Sequence, residues 1–557
     1  MRREEVLRNH WFFSQEVGKE DALAPDFQRE NWQAIQVPHD WSIYNDFDQY
    51  SPAQNEGGQL NGGQAWYRTQ FYLEEDASLV SVRLLFDGVY MNAQVYINGQ
   101  VLGYYPSGYT PFSYDITPYL RNDGTANQLA VFVENQQPSS RWYSGSGIYR
   151  EVKLLITDSV HLDLYGIKIV SPKLKEQRDG WVETQLESMV SNDGSQSVSV
   201  YLEQSIWYDG QQLSDWQATD SLVIESGDKY SFHQAISIFQ PLLWDIDHPH
   251  LYQLKTRIYK NGILVDEEEE TFGYRYMDWQ ADKGFFLNGN WLKIHGVCLH
   301  HDYGALGAVE NRSAAERRLR QMKEMGVNAI RITHNPASSI LLDVAAKMGL
   351  LIQEEAFDTW YGGKKEYDYG RFFEEEATHP EAKAGDFWSD YDLRTMIKRG
   401  KNNPAIFMWS LGNEVSEANG DAHSLKTIKR LLGRVKEVDD SRFVTMGMDQ
   451  FRFGDGSGGH EKIANLLDVV GLNYSEDNID AIRKRHPKWR LYGSETSSAT
   501  RTRDSYFRPG KEWVGDNRRV RNFEQSDYGN DRVPWGKTAM ASWIADRNRL
   551  DYAGQFI

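Results

Sequence analysis

Pro404–Val415 reads PAIFMWSLGNEV: an unbroken apolar run that turns at Gly412 and presents Asn413 and Glu414 side by side. A run of this kind, rich in large side chains and bounded by turn residues, predicts a strand buried on both faces of a parallel sheet. Its polar end is where chemistry would sit. A second run, Arg490–Ser494, also ends on a carboxylate, Glu495.

Outward from this stretch, the runs Leu292–Leu299, Asn328–Thr333, Leu350–Glu355, Ala405–Leu411, Phe443–Met448, Val469–Tyr474, Leu491–Ser494 and Gln555–Ile557 alternate with helical segments. In Ser313–Met325, for example, Ala315, Leu319 and Met322 recur at helical spacing, and Ser313 with Glu316 has the form of a capping box. Such alternation implies βα units and a parallel sheet. Seven strands and the start of an eighth predict a (β/α)8 TIM barrel over residues 272–557, a fold of about 250 residues. Because the last run reaches Ile557, the expectation is a barrel that ends within strand eight. Strand one would then lack backbone partners, and apolar surface would await a missing C-terminal portion.

In such barrels the working groups stand at the C-terminal ends of the strands. Those ends carry His300, His301 and Asp302; Arg331, His334 and Asn335; Glu354, Glu355 and Asp358; Asn413 and Glu414; Asp449; Asn473 and Tyr474; and Glu495. Two carboxylates across a barrel mouth can flank a glycosidic bond, one protonating the leaving oxygen and the other attacking the anomeric carbon. A separation of about 5 Å gives retention of configuration. A glutamate taken alone is usually a surface or salt-bridged residue; the placement of both at strand ends is what points to catalysis.

Upstream, the texture is β. From Trp11 to Ile156, short alternating segments such as Ala65–Leu73, Ser81–Phe86 and Ala93–Ile97 are separated by Gly, Asn, Asp and Pro, which predicts a jelly-roll-like β-sandwich over residues 1–158. Asn98-Gly99 is a hairpin signal. Residues 159–271 read as a smaller, immunoglobulin-like sandwich, with alternation in Val198–Leu202 and Leu251–Tyr259 and a turn at Asn261-Gly262. The SGSG of Arg141–Arg150 (RWYSGSGIYR) precedes no helical pattern, which excludes a nucleotide loop.

Composition narrows the class. Of 557 residues, 40% are apolar and 25% charged, as in ordinary globular proteins. The net charge of −19 excludes a nucleic-acid partner, which needs clustered Lys and Arg. The 18 Trp and 31 Tyr offer flat apolar faces with a polar edge, suited to sugar rings as well as to sandwich cores. Cys298 has no second cysteine to pair with and reads as a packed thiol. MRREEVLRNH lacks the apolar core of a signal peptide, which reads as cytoplasmic, and no run of about 18 apolar residues is present to span a membrane.

The motifs VPHDWS (Val37–Ser42), GVYMNAQVYINGQ (opening Gly88–Leu120), SGIYR (Ser146–Arg150), HGVCLHH (His295–His301), IRITHNP (Ile330–Pro336), WSLGNE (Trp409–Glu414) and SET (Ser494–Thr496) together resemble glycoside hydrolase family 2. Within it they are most similar to β-galactosidases of the streptococcal cell-surface type, a match strengthened by Ser497–Pro509 and Tyr528–Lys537. The resemblance implies a retaining exo-β-galactosidase acting on β-galactoside oligosaccharides or glycans. It makes Glu414 the general acid/base and Glu495 the nucleophile. Asn413 would hold the sugar 2-hydroxyl, Tyr474 would donate to the nucleophile, and His300 and His334 would contact the sugar. Asp449, a strand-end carboxylate, is a further candidate for sugar hydroxyls, and Arg141 and Trp142 would reach the barrel mouth from the first sandwich.

Some relatives in the family bind magnesium after strand three through a carboxylate and a histidine two residues later. Here those positions read Asp358 and Trp360, and an indole cannot coordinate magnesium, so no required metal or other cofactor is expected. His300-His301 lacks a third zinc ligand at suitable spacing. The alternatives are a β-glucuronidase or β-mannosidase of the same family, or a non-catalytic glycan-binding fragment. Relatives are often secreted or wall-anchored, and a homo-oligomer is compatible with the sequence.

Overall fold

The eight apolar runs form β1 (Ile294–Leu299), β2 (Ala329–Ile332), β3 (Leu351–Glu355), β4 (Ile406–Asn413), β5 (Phe443–Met448), β6 (Val470–Asn473), β7 (Leu491–Glu495) and β8 (Gly554–Phe556). These strands are parallel and hydrogen-bonded in chain order into a closed barrel. The computed structural model describes residues 1–25, 30–74, 79–498, 504–506, 513–514, 526–529 and 531–557. Every residue of β4 is buried, as a strand covered by helices outside and by side chains inside requires.

Closure overturns the expectation that strand one is left unpaired. β8 pairs with β1 at Ile294–Gly554, His295–Gln555 and Gly296–Phe556, and with β7 at Gly493–Gln555. The Cys298 N–H donates to the Ile557 carbonyl at 2.7 Å, and the Ile557 N–H donates to Gly296 at 3.0 Å. So short a strand closes the barrel because the seam permits a very close approach. A Cβ on Gly554, whose φ is 127°, would lie 2.2 Å from the Ile294 carbonyl oxygen, and one on Gly296 would lie 2.2 Å from the Phe556 ring.

A smaller correction concerns the first barrel helix, α1 (Arg312–Glu324). Its N-cap is Asn311, whose side chain accepts from the Ala314 N–H at 3.1 Å, not Ser313. Asn and Ser cap about equally well. Asn311 is the one in the extended conformation a cap needs (φ −140°, ψ 122°).

At the N-terminal end of the barrel, the hairpin Met277–Gln280/Gly284–Leu287 forms a plug. Trp279 packs on Phe443 and Tyr492, and Phe285 on Phe407. Both upstream segments are antiparallel sandwiches. The first pairs a four-stranded with a six-stranded sheet; the second pairs a three-stranded sheet (Val160–Val170, Trp181–Asn192, Lys229–Phe239) with a six-stranded one. Asn98-Gly99 and Asn261-Gly262 turn hairpins with φ of 50° and 80°, and 50° and 82°, the doubly left-handed geometry that selects these residues.

The first sandwich docks beside the barrel mouth through the RWYSGSGIYR segment. Arg150, 2% exposed, donates to the carbonyls of Tyr109 in the sandwich (2.7 Å) and of Pro336 (2.9 Å) and Ala337 (3.1 Å) in the barrel. Asp40 accepts from the Tyr143 hydroxyl at 2.6 Å and from the Ala308 N–H at 2.9 Å.

Candidate active site

Glu495 ends β7 with its carboxylate fixed at both oxygens. Oε2 accepts from Arg331 Nη1 at 3.0 Å, and Oε1 accepts from the Tyr474 hydroxyl. Tyr474 follows β6 in a left-handed conformation (φ 54°), its N–H bonded to the Glu495 carbonyl at 2.7 Å. Burial, reinforced by the Glu495 charge, pushes its phenol well above 10. It therefore stays a hydrogen-bond donor.

Glu414, one residue past β4, is left-handed as well (φ 47°), held by its N–H to the Gly447 carbonyl at 2.8 Å. Non-glycine residues rarely adopt this conformation, and functional sites are where such strain collects. Its Oε1 accepts from Asn473 Nδ2 at 3.2 Å, and Arg141 Nη1 lies 3.6 Å from Oε2. The two glutamates keep similar access to solvent, with side chains 19% and 18% exposed.

Arg331 joins the two sides of the mouth. Its side chain has no solvent exposure, and it donates to Glu495, to Asn413 Oδ1 (2.9 Å) and to both oxygens of Glu355 (3.0 Å each). Asn413 Oδ1 also accepts from Asn473 Nδ2 at 3.1 Å, while Asn413 Nδ2 donates to Asp358 at 3.2 Å. The amide is thereby locked in one orientation.

Glu355 points inward from β3, bonded also to His334 Nδ1 and Ser410 Oγ, each at 2.6 Å. Its neighbour Glu354 faces the other way, to Arg399, as strand alternation demands. Burial raises the Glu355 carboxyl to about 7 against the pull of Arg331. For His334, burial and then the Arg331 charge lower the imidazole well below 6.5. A carboxylate can only accept, so His334 donates through Nδ1 and presents Nε2, 3.9 Å from Glu495, as an acceptor.

The first sandwich supplies one wall. Arg141 pairs with Asp358 at 2.8 and 3.2 Å, and Trp142 lies 4.7 Å, centroid to centroid, from both His300 and His334. Burial takes His300 down to about 4, so its ring is neutral. Asp449, after β5, has its Oδ1 buried without a partner; burial and then the Glu414 charge raise its carboxyl. The structure thus gathers Asn413, Glu414, Tyr474, Glu495, His300, His334, Asp449, Arg141 and Trp142 around one mouth. His301 turns away, with Nε2 against the Ser144 carbonyl at 3.0 Å.

Sequence reasoning assigned no part to Lys364. Its ammonium lies 2.9 Å from Asp358 and 2.6 Å from the Asn413 carbonyl. Lys364-Lys365 is a cation pair in a loop, with no periodicity to mark which of the two faces the site. Burial alone would raise the Asp358 carboxyl, but Lys364 and Arg141 outweigh it and hold the group well below the usual range. Asp358 and Trp360 do not fit magnesium. Two cations already occupy the Asp358 carboxylate, and the Trp360 indole N–H donates to the Leu411 carbonyl at 2.9 Å.

Comparison with known proteins gives the same architecture a family. Residues 6–158 match the model described as "Glycosyl hydrolases family 2, sugar binding domain", 167–275 that described as "Glycosyl hydrolases family 2", and 280–501 that described as "Glycosyl hydrolases family 2, TIM barrel domain". The chain is 36% identical to the β-galactosidase BoGH2A of Bacteroides ovatus, over 96% of this chain and 65% of that protein. It is 31% identical to a putative β-glucuronidase of Formosa agariphila, over 92% and 45%. A crystal structure of a family 2 member from Bacteroides cellulosilyticus superposes with a TM-score of 0.85 at 30% identity, all of this chain on 64% of that one. The chain therefore spans 65% or less of the length of these three relatives. With one family matched in turn by both sandwiches and the barrel, the chain belongs to glycoside hydrolase family 2.

Proposed function

We propose that this chain is the catalytic region of a retaining exo-glycosidase that removes terminal β-D-galactosyl residues. The observation that carries the reading is the Glu414/Glu495 pair, presented at one barrel mouth and tied together through Arg331, Asn413 and Asn473. In the first step Glu495 Oε attacks the anomeric carbon as Glu414, protonated, gives its proton to the departing glycosidic oxygen. In the second, Glu414 takes a proton from water, whose oxygen displaces Glu495 and releases the sugar with its configuration retained.

The neighbouring groups have roles consistent with this. Arg331 and Tyr474 hold Glu495 as an aimed carboxylate. Asn413, its carbonyl oxygen already engaged, keeps one Nδ2 hydrogen for the 2-hydroxyl. His334 Nε2 accepts a sugar hydroxyl beside the nucleophile, His300 and Trp142 line the ring, and the Asp449 carboxylate, part-exposed at the mouth, takes a further hydroxyl. The chemistry is that of the two carboxylates.

The galactosyl preference is supported by BoGH2A being a β-galactosidase, the activity that the motif resemblance also implies. Of the segments that narrow that resemblance, residues 499–503, 507–509 and 530 lie outside the described residues. A β-glucuronidase is the second reading, favoured by relatives of that name from Formosa agariphila and Bacteroides fragilis. Arg141 is a cation at the mouth, but Asp358 and Glu414 already neutralise it.

Parallel turnover of aryl β-galactoside and aryl β-glucuronide by the chain and by Glu495→Gln tests both. Galactoside hydrolysis that Glu495→Gln abolishes, with the β-anomer formed first by NMR, is the expected result. Faster glucuronide turnover would replace the galactosyl assignment, and equal rates for the two proteins would overturn the mechanism.

A further inference from the structure

Away from the catalytic mouth, the first sandwich carries a loop, residues 42–62, with three aromatic side chains turned to solvent. Tyr44, Phe47 and Tyr50 are 78%, 78% and 83% exposed. Phe47 and Tyr50 share one cleft, and two large rings left in water on one cleft mark a surface that meets something. The cleft is open, about 690 Å³, and lined also by Asn45, Asp46, Asp48 and Asn61. Asn61 Oδ1 there is buried and accepts no hydrogen bond. The loop is a built surface: Asn45 Nδ2 donates to the Asn61 carbonyl at 2.9 Å, the Tyr50 N–H donates to Asp48 at 2.8 Å, and Tyr44 stacks on His39 at 5.8 Å.

The inner side of this loop adjoins the stretch that enters the active site. The Gly62 N–H donates to Gln137 Oε1 at 2.8 Å, and Gln137 Nε2 donates back to the Leu60 carbonyl at 3.1 Å. Arg141 and Trp142 follow within five residues. Glu56, in the same loop, pairs with Lys365, the neighbour of the Lys364 that contacts Asp358 and Asn413. The loop thus shares its inner contacts with the two segments that carry Arg141, Trp142 and Lys364 to the mouth.

We propose that the Tyr44–Tyr50 loop and its cleft bind the sugar units that follow the cleaved one, as a platform for a neutral oligosaccharide. This rests on the glycosidase reading above. Aromatic faces stack on the C–H faces of pyranose rings, while Asp46 and Asp48 accept from hydroxyls. The two carboxylates, on a chain of net charge −19, disfavour an acidic glycan or the same patch of a second copy.

Calorimetric titration of Glu495→Gln, which needs no turnover, provides the test. The probes are galactose, a β-linked galactotetraose and cellotetraose. Replacing Phe47 and Tyr50 by Ala in this background is expected to weaken tetraose binding about tenfold, the size of two stacking contacts, and to leave galactose binding unchanged. The same affinity with and without the rings overturns the proposal, as does failure of both tetraoses to bind the parent. Sedimentation of the same proteins checks for a dimer that the substitutions dissociate, which would reassign the patch to self-association. Aryl-galactoside turnover by the otherwise unaltered Phe47→Ala/Tyr50→Ala protein reports separately on the catalytic reading.

Discussion

Arg331 donates to Glu495, Asn413, the Ser494 carbonyl and Glu355 from a site without solvent, and among these Glu355 is the carboxylate that the mechanism keeps away from substrate. Glu355 neutralises it and fixes the His334 tautomer through Nδ1. Glu355→Gln preserves the shape but removes the charge and leaves Arg331 less firmly held. Disturbing a residue that aims a nucleophile is expected to lower kcat about 10- to 100-fold. The pH profile identifies the role. Burial raises the Glu355 carboxyl to about 7, and its ionised form is the one that accepts from Arg331 and His334. Activity should therefore fall as pH drops through about 7 in the parent, and that limb should be missing in Glu355→Gln. A parallel drop at every pH would mean a purely structural role. Glu414 has a different signature: for Glu414→Gln, an aryl galactoside with a good leaving group should retain far more first-step rate than a disaccharide, measured by single turnover, because only the disaccharide needs the proton.

At the scale of elements, the barrel seam and the loop after β3 are where local sequence and long-range contact meet. The first seven runs were legible because each is largely apolar and leads to a polar residue, so strand order and strand ends followed from the pattern. Closure was not legible. Whether three residues of β8 can pair with β1 depends on Gly554 and Gly296 letting two backbones approach, and that contact spans about half the chain. Gly554→Val adds branched bulk where a Cβ already meets the Ile294 carbonyl, at a φ that side chains avoid; a loss of about 3 kcal/mol is expected in urea unfolding. Alternation along β3 likewise predicts that Glu354 and Glu355 face opposite ways, without saying which one looks inward. Lys364 escaped because loop charges carry no period. Its partner Asp358 has a carboxyl depressed below the ordinary 3.8. A group depressed by folding stabilises the native state above its ordinary value and loses that contribution as pH falls through the depressed one. The Tm gap between the parent and Asp358→Asn should be widest near pH 7 and shrink below about pH 4.

On the scale of the whole molecule, the proposed catalytic mouth belongs to neither barrel nor sandwich alone. Arg141 and Trp142 are carried in by the first sandwich, while the carboxylates and His300 and His334 come from the barrel. Docking is secured away from the substrate, where Arg150 binds the Tyr109 carbonyl on one side and the Pro336 and Ala337 carbonyls on the other. Those carbonyls directly follow His334 and Asn335, so the same guanidinium that fastens the sandwich also steadies the loop after β2. Arg150→Ala removes these bonds and leaves buried carbonyls unsatisfied, each costing about 1–3 kcal/mol. Two consequences should appear together. In calorimetry, the first sandwich should begin to melt separately from the barrel, since the interface that couples them is weakened. In kinetics, KM for an aryl galactoside should rise, because Trp142 and His334 lose their fixed separation although Arg150 touches no substrate. A single unshifted transition with unchanged KM would mean that the remaining interface, including Asp40 with Ala308, suffices to hold the wall in place.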